Sequence, residues 1–205
     1  RQVSNFNHKI KEKQTFFLNL ILIFFLMPNS LFAKNSNQET IILAGGCFWG
    51  VEELFSNFTG VLATEVGYAG GDTDQPTYQT VSTGLTNHAE SVKISFDNKK
   101  TSLEKILKFF FAIHDPTQLN RQQNDIGTQY RSAIFYQNNE QKTIALDLIN
   151  KINNLKVFDK KIATEVVEFK NFYPAEKYHQ NYLQKNPNGY NCHYYRDFGK
   201  QFHEL

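Results

Sequence analysis

Apolar residues change period several times along the chain, and each change marks an element. Ile41–Ala44 is an unbroken apolar run closed by Gly45-Gly46, which predicts a strand ending in a turn. Val51, Leu54, Phe55 and Phe58 then recur at helical spacing, the stripe of an amphipathic helix that opens near Cys47. Val61–Tyr68 predicts a second strand ahead of Gly70-Gly71. Val92, Ile94 and Phe96 alternate with Ser91, Lys93 and Ser95, so this strand buries one face. Thr101 and Glu104 have capping-box spacing, and Leu103, Ile106, Leu107 and Phe110 supply the helical stripe behind them.

Tyr130–Tyr136 and Thr164–Phe169 predict strands on either side of a helix marked by Ile144, Ala145, Leu148, Ile149 and Ile152. Pro174 suits the first turn of a last short helix carrying Tyr178 and Tyr182. The tail from Gln184 to Leu205 is polar and aromatic without a period, and predicts coil on the surface. The order β-α-β-β-α-β-α-β-α argues for a single α+β domain over residues 41–205. Its expected form is a two-layer sandwich, a mixed sheet with a split βαβ (ferredoxin-like) core under helices, ending in a long coil tail.

The segment before this domain follows another logic. Lys9, Lys11 and Lys13 precede the apolar run Phe16–Met27, Pro28, Asn29 and Ser30 break it, and Ala33 offers a small residue for cleavage. Asn19 interrupts the run, which is short for a membrane span of about 20 residues. Residues 1–33 are therefore expected to be a signal peptide and Lys34–Thr40 a polar linker. The expectation is export to the periplasm or beyond, with no membrane association once the signal is cut and an anchor if it is not. The chain begins with Arg1 and not with Met, so a start upstream is expected.

Charge follows the same division. Arg1, Lys9, Lys11 and Lys13 against Glu12 give residues 1–33 a charge of +3; the whole chain carries a formal +2, which leaves −1 for the remainder. A near-neutral body has no electrostatic footprint for nucleic acid, so that partner class is excluded. With 40% apolar and 20% charged residues the body is rich enough to fold as a globule.

Two residues stand out chemically. Cys47 lies between a strand and the first turn of a helix with Gly45-Gly46 before it and Gly50 after it. Free amides and the helix dipole there favour a thiolate, and the glycines permit close approach of a ligand. Glu90 shares strand parity with Val92, Ile94 and Phe96. On the buried face its carboxyl would have a raised pKa and serve as a general acid; just outside the strand it would be solvated. The second cysteine, Cys192, leaves its own alternative. In an exported protein an even cysteine count reads as a structural disulfide, and closing so long a loop contributes about 4–5 kcal/mol in the chain-entropy model. A small metal site from Cys47, Cys192, His193 and His179 is a further reading, with no close ligand pair beyond Cys192-His193.

Gly45-Gly46-Cys47-Phe48-Trp49-Gly50 resembles the signature of the A-class peptide methionine sulfoxide reductases. Gly67-Tyr68-Ala69-Gly70-Gly71, Tyr78-Gln79-Thr80-Val81, His88-Ala89-Glu90, His114-Asp115-Pro116-Thr117 and Asp125–Ser132 follow in that family's order. The resemblance implies that Cys47 attacks the sulfoxide sulfur, that Glu90 protonates the departing oxygen, and that Tyr78 and Tyr130 donate to that oxygen. It implies that Asp125 helps arrange the site and that Phe48 and Trp49 wall the S-methyl group. Cys192, after Asn186-Pro187-Asn188-Gly189-Tyr190, resembles the family's resolving thiol, which closes a Cys47–Cys192 disulfide for a thioredoxin-type dithiol to reduce. The substrate implied is the S epimer of methionine sulfoxide, free or in proteins. The expected enzyme is monomeric, with no metal and no cofactor beyond the external dithiol. His88, His114 and His179 are expected to orient backbone or to pack.

Overall fold

The computed structural model describes residues 37–205; the expected signal peptide, 1–33, lies outside the described residues. In chain order the elements are β1 (Gln38–Gly45), α1 (Phe48–Ser56), β2 (Val61–Ala69), α2 (Tyr78–Val81), β3 (Ala89–Asp97) and α3 (Leu103–Ile113). A two-residue ribbon of β4 (Arg121–Gln122) and β5 (Asp125–Ile126) and a 3₁₀ turn at Thr128–Tyr130 follow. β6 (Ser132–Tyr136), α4 (Asn139–Leu155), β7 (Glu165–Glu168), β8 (Phe172–Pro174), α5 (Tyr182–Lys185) and α6 (Lys200–His203) complete the fold.

Six strands form one sheet in the order β7-β6-β1-β3-β2-β8. The inner four, β6-β1-β3-β2, are antiparallel throughout and carry the expected split βαβ connectivity. β7 joins β6 in parallel at one edge and β8 joins β2 antiparallel at the other, so the sheet is mixed.

Side-chain parity explains the two faces. Ile41, Leu43, Val66, Tyr68, Val92, Ile94, Phe96 and Ile134 pack with Phe48, Val51 and Phe55 of α1 and the apolar stripes of α3 and α4. The opposite face is small where Ala44, Ala69, Ala89 and Ala133 meet, and Ile42, Phe135, Phe169 and Phe172 cover it. Burial of both faces is why Ile41–Ala44 is unbroken in its hydrophobicity instead of alternating.

Several elements depart from the sequence pattern. β1 begins at Gln38, so part of the expected linker is already paired: Gln38, Glu39 and Thr40 stand opposite Asp97, Phe96 and Ser95. The ladder needs only backbone groups, and Gln38 keeps its side chain exposed. The cap of α3 is Ser102, whose hydroxyl accepts from Lys105 N–H at 3.3 Å, and not Thr101, which is buried with its Oγ1 unpartnered. Pro174 ends the edge strand β8, where a missing N–H costs nothing, and no helix starts there; Tyr178 lies in a turn and Tyr182 opens α5. Tyr130 closes the 3₁₀ turn, and β6 starts at Ser132. The tail from 186 to 199 is coil, as expected, but it is not merely superficial: His193 and Phe202 are buried and α6 closes it.

Candidate active site

The nucleophile candidate sits where β1 turns into α1. Gly46 holds a left-handed φ of 100°, and a Cβ there would fall 2.6 Å from the buried side chain of Gln122. Cys47 is the N-cap of α1, with no side-chain hydrogen bond to the helix. The residue is 6% exposed. The expected thiolate is not what this environment favours. Burial first, and then the nearby Glu90 carboxyl, push the Cys47 pKa well above its ordinary value, against a smaller pull from the Trp49 amide. The reason is visible in the helix terminus. The Phe48 N–H, the first free amide of α1, donates to Glu90 Oε2 at 3.0 Å, so it is spent on a carboxyl and not on the sulfur.

Glu90 reaches this point because of strand register. Leu43 stands opposite Val92 in the β1–β3 ladder, which brings Glu90 alongside the Gly45 end of β1. On its other side it pairs with Tyr68 of β2. It is 3% exposed, so the buried-face reading holds and the solvated one does not. Desolvation raises its pKa to about 8, the Phe48 amide notwithstanding. At neutral pH this carboxyl keeps its proton.

Two tyrosines and a second carboxyl complete the same cluster. Tyr78 opens α2, a turn fixed by the reciprocal Thr77–Thr80 capping box, and its backbone N–H donates to Glu176 Oε1 at 2.9 Å. Tyr130 projects from the 3₁₀ turn. Both phenols are held above their ordinary pKa, by burial first and next by Glu90; Tyr130 also feels Tyr78, Asp125 and Cys47. Both therefore remain hydrogen-bond donors. Asp125, at the start of β5, accepts from Tyr190 Oη–H at 3.1 Å and from Cys192 Sγ–H at 3.4 Å. Cys192 is half-buried, and desolvation with Asp125 behind it pushes its pKa up to about 12. Both cysteines are free thiols, which removes the support for a structural cystine in this state.

Phe48 is fully buried against Tyr68, with ring centroids 6.0 Å apart. Trp49 is half-buried, stacks on Tyr182 at 3.8 Å and 14°, and donates from Nε1 to His179 Nδ1 at 3.0 Å. His179 also packs 5.1 Å from Phe48 and 4.5 Å from Tyr78. Glu176 ties this wall together, since its Oε2 accepts from Tyr68 Oη–H at 2.8 Å while Oε1 holds Tyr78.

All eight residues singled out in the sequence thus converge, but several partners were missed. Glu176 carries no signal in the sequence pattern. Tyr182, Tyr190 and His193 figure in it only as part of a short helix, of the stretch before Cys192 and of the metal reading, and their places in this site come from long-range contacts. His88 receives Gly71 N–H and donates to the Thr73 carbonyl, and His114 bridges Phe110 O and Ser132 Oγ, so both orient structure as expected. The four-residue metal reading fails on geometry. His179 is committed to Trp49 and His193 to the Gly45 carbonyl, and among the described residues no three His, Cys, Asp or Glu side chains converge as a metal site requires.

Fold and site together define an α+β thiol enzyme, one that brings a buried sulfur nucleophile and a protonated carboxyl to the same point. The peptide methionine sulfoxide reductase family model matches residues 39–204. A peptide methionine sulfoxide reductase MsrA from Trichodesmium erythraeum is 54% identical over 149 residues, covering 73% of this chain and 84% of that protein. Among solved structures, Mxr1 from Saccharomyces cerevisiae in its reduced form aligns with a TM-score of 0.76 at 38% identity, over 80% of this chain and 95% of its own. Mxr1 in complex with Trx2 aligns with a TM-score of 0.51 at 26% identity, over 82% and 97%. The chain belongs to the peptide methionine sulfoxide reductase family, in its A class.

Proposed function

We propose that this chain reduces methionine sulfoxide by a sulfenic acid cycle in which the eight converging residues divide the work. The carrying observation is the buried Glu90 carboxyl held by the Phe48 amide beside Cys47, where burial favours its protonated form. Glu90 gives its proton to the sulfoxide oxygen, assisted by hydrogen bonds from Tyr78 and Tyr130, and the substrate sulfur becomes electrophilic. Cys47 loses its proton and attacks that sulfur. The raised Cys47 pKa fits this order: the thiol keeps its proton until a protonated, electrophilic sulfoxide lies against it and the Glu90 carboxylate just formed can take that proton. Oxygen passes to Cys47, methionine leaves, and Glu90 regains the proton that Cys47 gave up. Phe48 and Trp49 supply the apolar wall for the S-methyl group. The S epimer, free or in proteins, is the proposed substrate.

Cys192 then closes a disulfide with Cys47 and releases water. An external dithiol of the thioredoxin type regenerates both thiols, a reading supported by the Trx2 complex of the yeast relative. The enzyme needs no bound cofactor or metal in this scheme and works as a monomer. The Lys-rich, apolar pattern of residues 1–33 supports action outside the cytoplasm.

Reduced protein mixed with resolved sulfoxide epimers, without reductant, tests the cycle. One methionine per chain and the loss of both thiols with the S epimer are expected. Methionine release with both thiols intact would overturn it.

A further inference from the structure

The residue after the resolving cysteine is not idle. His193 is 4% exposed, and its Nε2 lies 2.8 Å from the carbonyl oxygen of Gly45. A carbonyl only accepts, so Nε2 carries the ring hydrogen and Nδ1 is left with a free lone pair. That lone pair lies 3.3 Å from Cys192 Sγ. The tautomer is fixed by a backbone atom of the very turn that presents Cys47.

The ring's seat is equally specific. A Cβ at Gly50 would fall 2.6 Å from His193 Nδ1 and 2.6 Å from Asn191 Oδ1, and a Cβ at Gly46 would fall 3.4 Å from His193 Cε1. The imidazole therefore docks on backbone that the two glycines flanking Cys47 leave bare. Asn191 Oδ1 accepts the His193 N–H at 2.9 Å and squares the segment in place.

We infer that His193 is the general base of the resolving step, its Nδ1 taking the Cys192 thiol proton as that sulfur attacks the oxidised Cys47. The inference rests on the reading of Cys192 as the resolving thiol. The Cys192 S–H bond breaks toward Nδ1, the Cys192 sulfur bonds to Cys47 Sγ, and the Cys47 S–O bond breaks. The departing oxygen takes up the proton held at Nδ1 and leaves as water, so His193 ends neutral and no outside oxidant or reductant is consumed. Asp125 is the rival acceptor of the thiol hydrogen at 3.4 Å, but it already holds the Tyr190 hydroxyl at 3.1 Å, whereas the His193 Nδ1 lone pair lies nearer the sulfur, at 3.3 Å. Burial first, with Arg196 adding to it, holds the His193 pKa below its ordinary value, while the Gly45 carbonyl and the Asp125 charge favour the imidazolium that forms, so the ring serves by its position on the thiol hydrogen; the buried His114 also lies close enough to interact. A thiol held near pKa 12 needs such a base to react at neutral pH.

The test follows methionine release and Cys47–Cys192 disulfide formation on the same sample of reduced protein after mixing with methionine sulfoxide, the sulfenic acid being trapped in parallel with a 1,3-dione. In His193→Gln the rate of disulfide formation divided by that of methionine release should fall by about 10²-fold or more. His193→Asn should show the same fall. In both variants disulfide formation should rise about tenfold per pH unit between pH 7 and 9, as hydroxide replaces the base, whereas wild type stays nearly flat. A ratio within about threefold of wild type, or a flat profile in the variants, overturns the proposal. Wild-type protein that releases methionine without ever forming the disulfide would instead sink the assignment of Cys192 itself.

Discussion

Glu90 accepts the first free amide of the helix that begins at Phe48, at 3.0 Å, from a position only 3% exposed. Burial and hydrogen bonding pull its pKa in opposite directions, and burial wins, leaving it at about 8. The folded protein therefore binds more protons than the unfolded chain between the ordinary carboxyl pKa and about 8. Stability from this group is fully present at low pH and is lost as pH rises through that window. Glu90→Gln removes the penalty, which is on the order of a few kcal/mol. Its melting temperature should match wild type near pH 4 and exceed it at pH 9. Equal melting temperatures at pH 9 would show that Glu90 ionises without cost.

The same substitution should cost activity. An amide delivers no proton to the leaving oxygen, so methionine release at pH 7 should slow by about 10²–10⁴-fold. Above pH 8 the wild-type rate should itself decline as Glu90 ionises, and at low pH solvent should narrow the gap. Stopped-time methionine assays across pH check both limbs. A wild-type rate that climbs steadily through pH 9 would remove Glu90 from the role of acid.

Cys47→Ser should abolish turnover, since a serine hydroxyl at this N-cap stays protonated and cannot carry the oxygen as a sulfenic acid. Steady-state reduction of a sulfoxide peptide gives the answer. Any substantial rate would move the nucleophile elsewhere.

Cys192→Ser separates a redox thiol from a structural one. Because the two cysteines are unlinked in this state, the variant should melt close to reduced wild type. It should release one methionine per chain at near-normal rate and then stop, and a small free thiol should restart it better than thioredoxin. A large loss of stability without that single turnover would favour a structural cystine.

Trp49 and His179 should act on binding more than on chemistry. Trp49→Phe keeps an aromatic wall stacked toward Tyr182 but loses the 3.0 Å bond to His179 Nδ1. A lost buried hydrogen bond of about 1 kcal/mol predicts a KM increase of roughly fivefold with kcat little changed. An effect confined to kcat would place Trp49 in the reacting geometry instead.

What the sequence made legible followed from period. Alternation through Val92, Ile94 and Phe96 gave Glu90 the parity of the buried face but left a solvated strand end open, which its burial decides, and the helical stripe after Cys47 was enough to put that residue at a helix terminus. Reading the terminus alone led to the wrong charge state. The free amides are evident from the pattern, but the carboxyl that arrives from β3 to claim one of them is visible only in register. The cap of α3 slipped by one residue because Thr101 and Ser102 offer the same chemistry. Pro174 suits a helix start and an edge strand equally well, and pairing with Gly67 decided it. Glu176, and the contacts that Tyr190 and His193 make, were illegible for a different reason. They sit in turns and coil, where side-chain direction is set by long-range contacts and leaves no trace in spacing.

The coil that carries Cys192 is pinned at both ends. It leaves α5, whose Tyr182 stacks on Trp49 at 3.8 Å, and beyond Cys192 the Arg196 N–H bonds Ala112 O at 2.9 Å. Such a tether confines the second sulfur to a small volume around the first, and short tethers commonly give effective concentrations in the millimolar range. Closure of the disulfide is then independent of how much thiol the surroundings hold. Peroxide, which would carry the sulfenic acid on to the irreversible sulfinic state, must compete by diffusion with a partner that is always present. The bow-like tail is in that sense a timer, fixing how long the oxidised nucleophile stays open to damage.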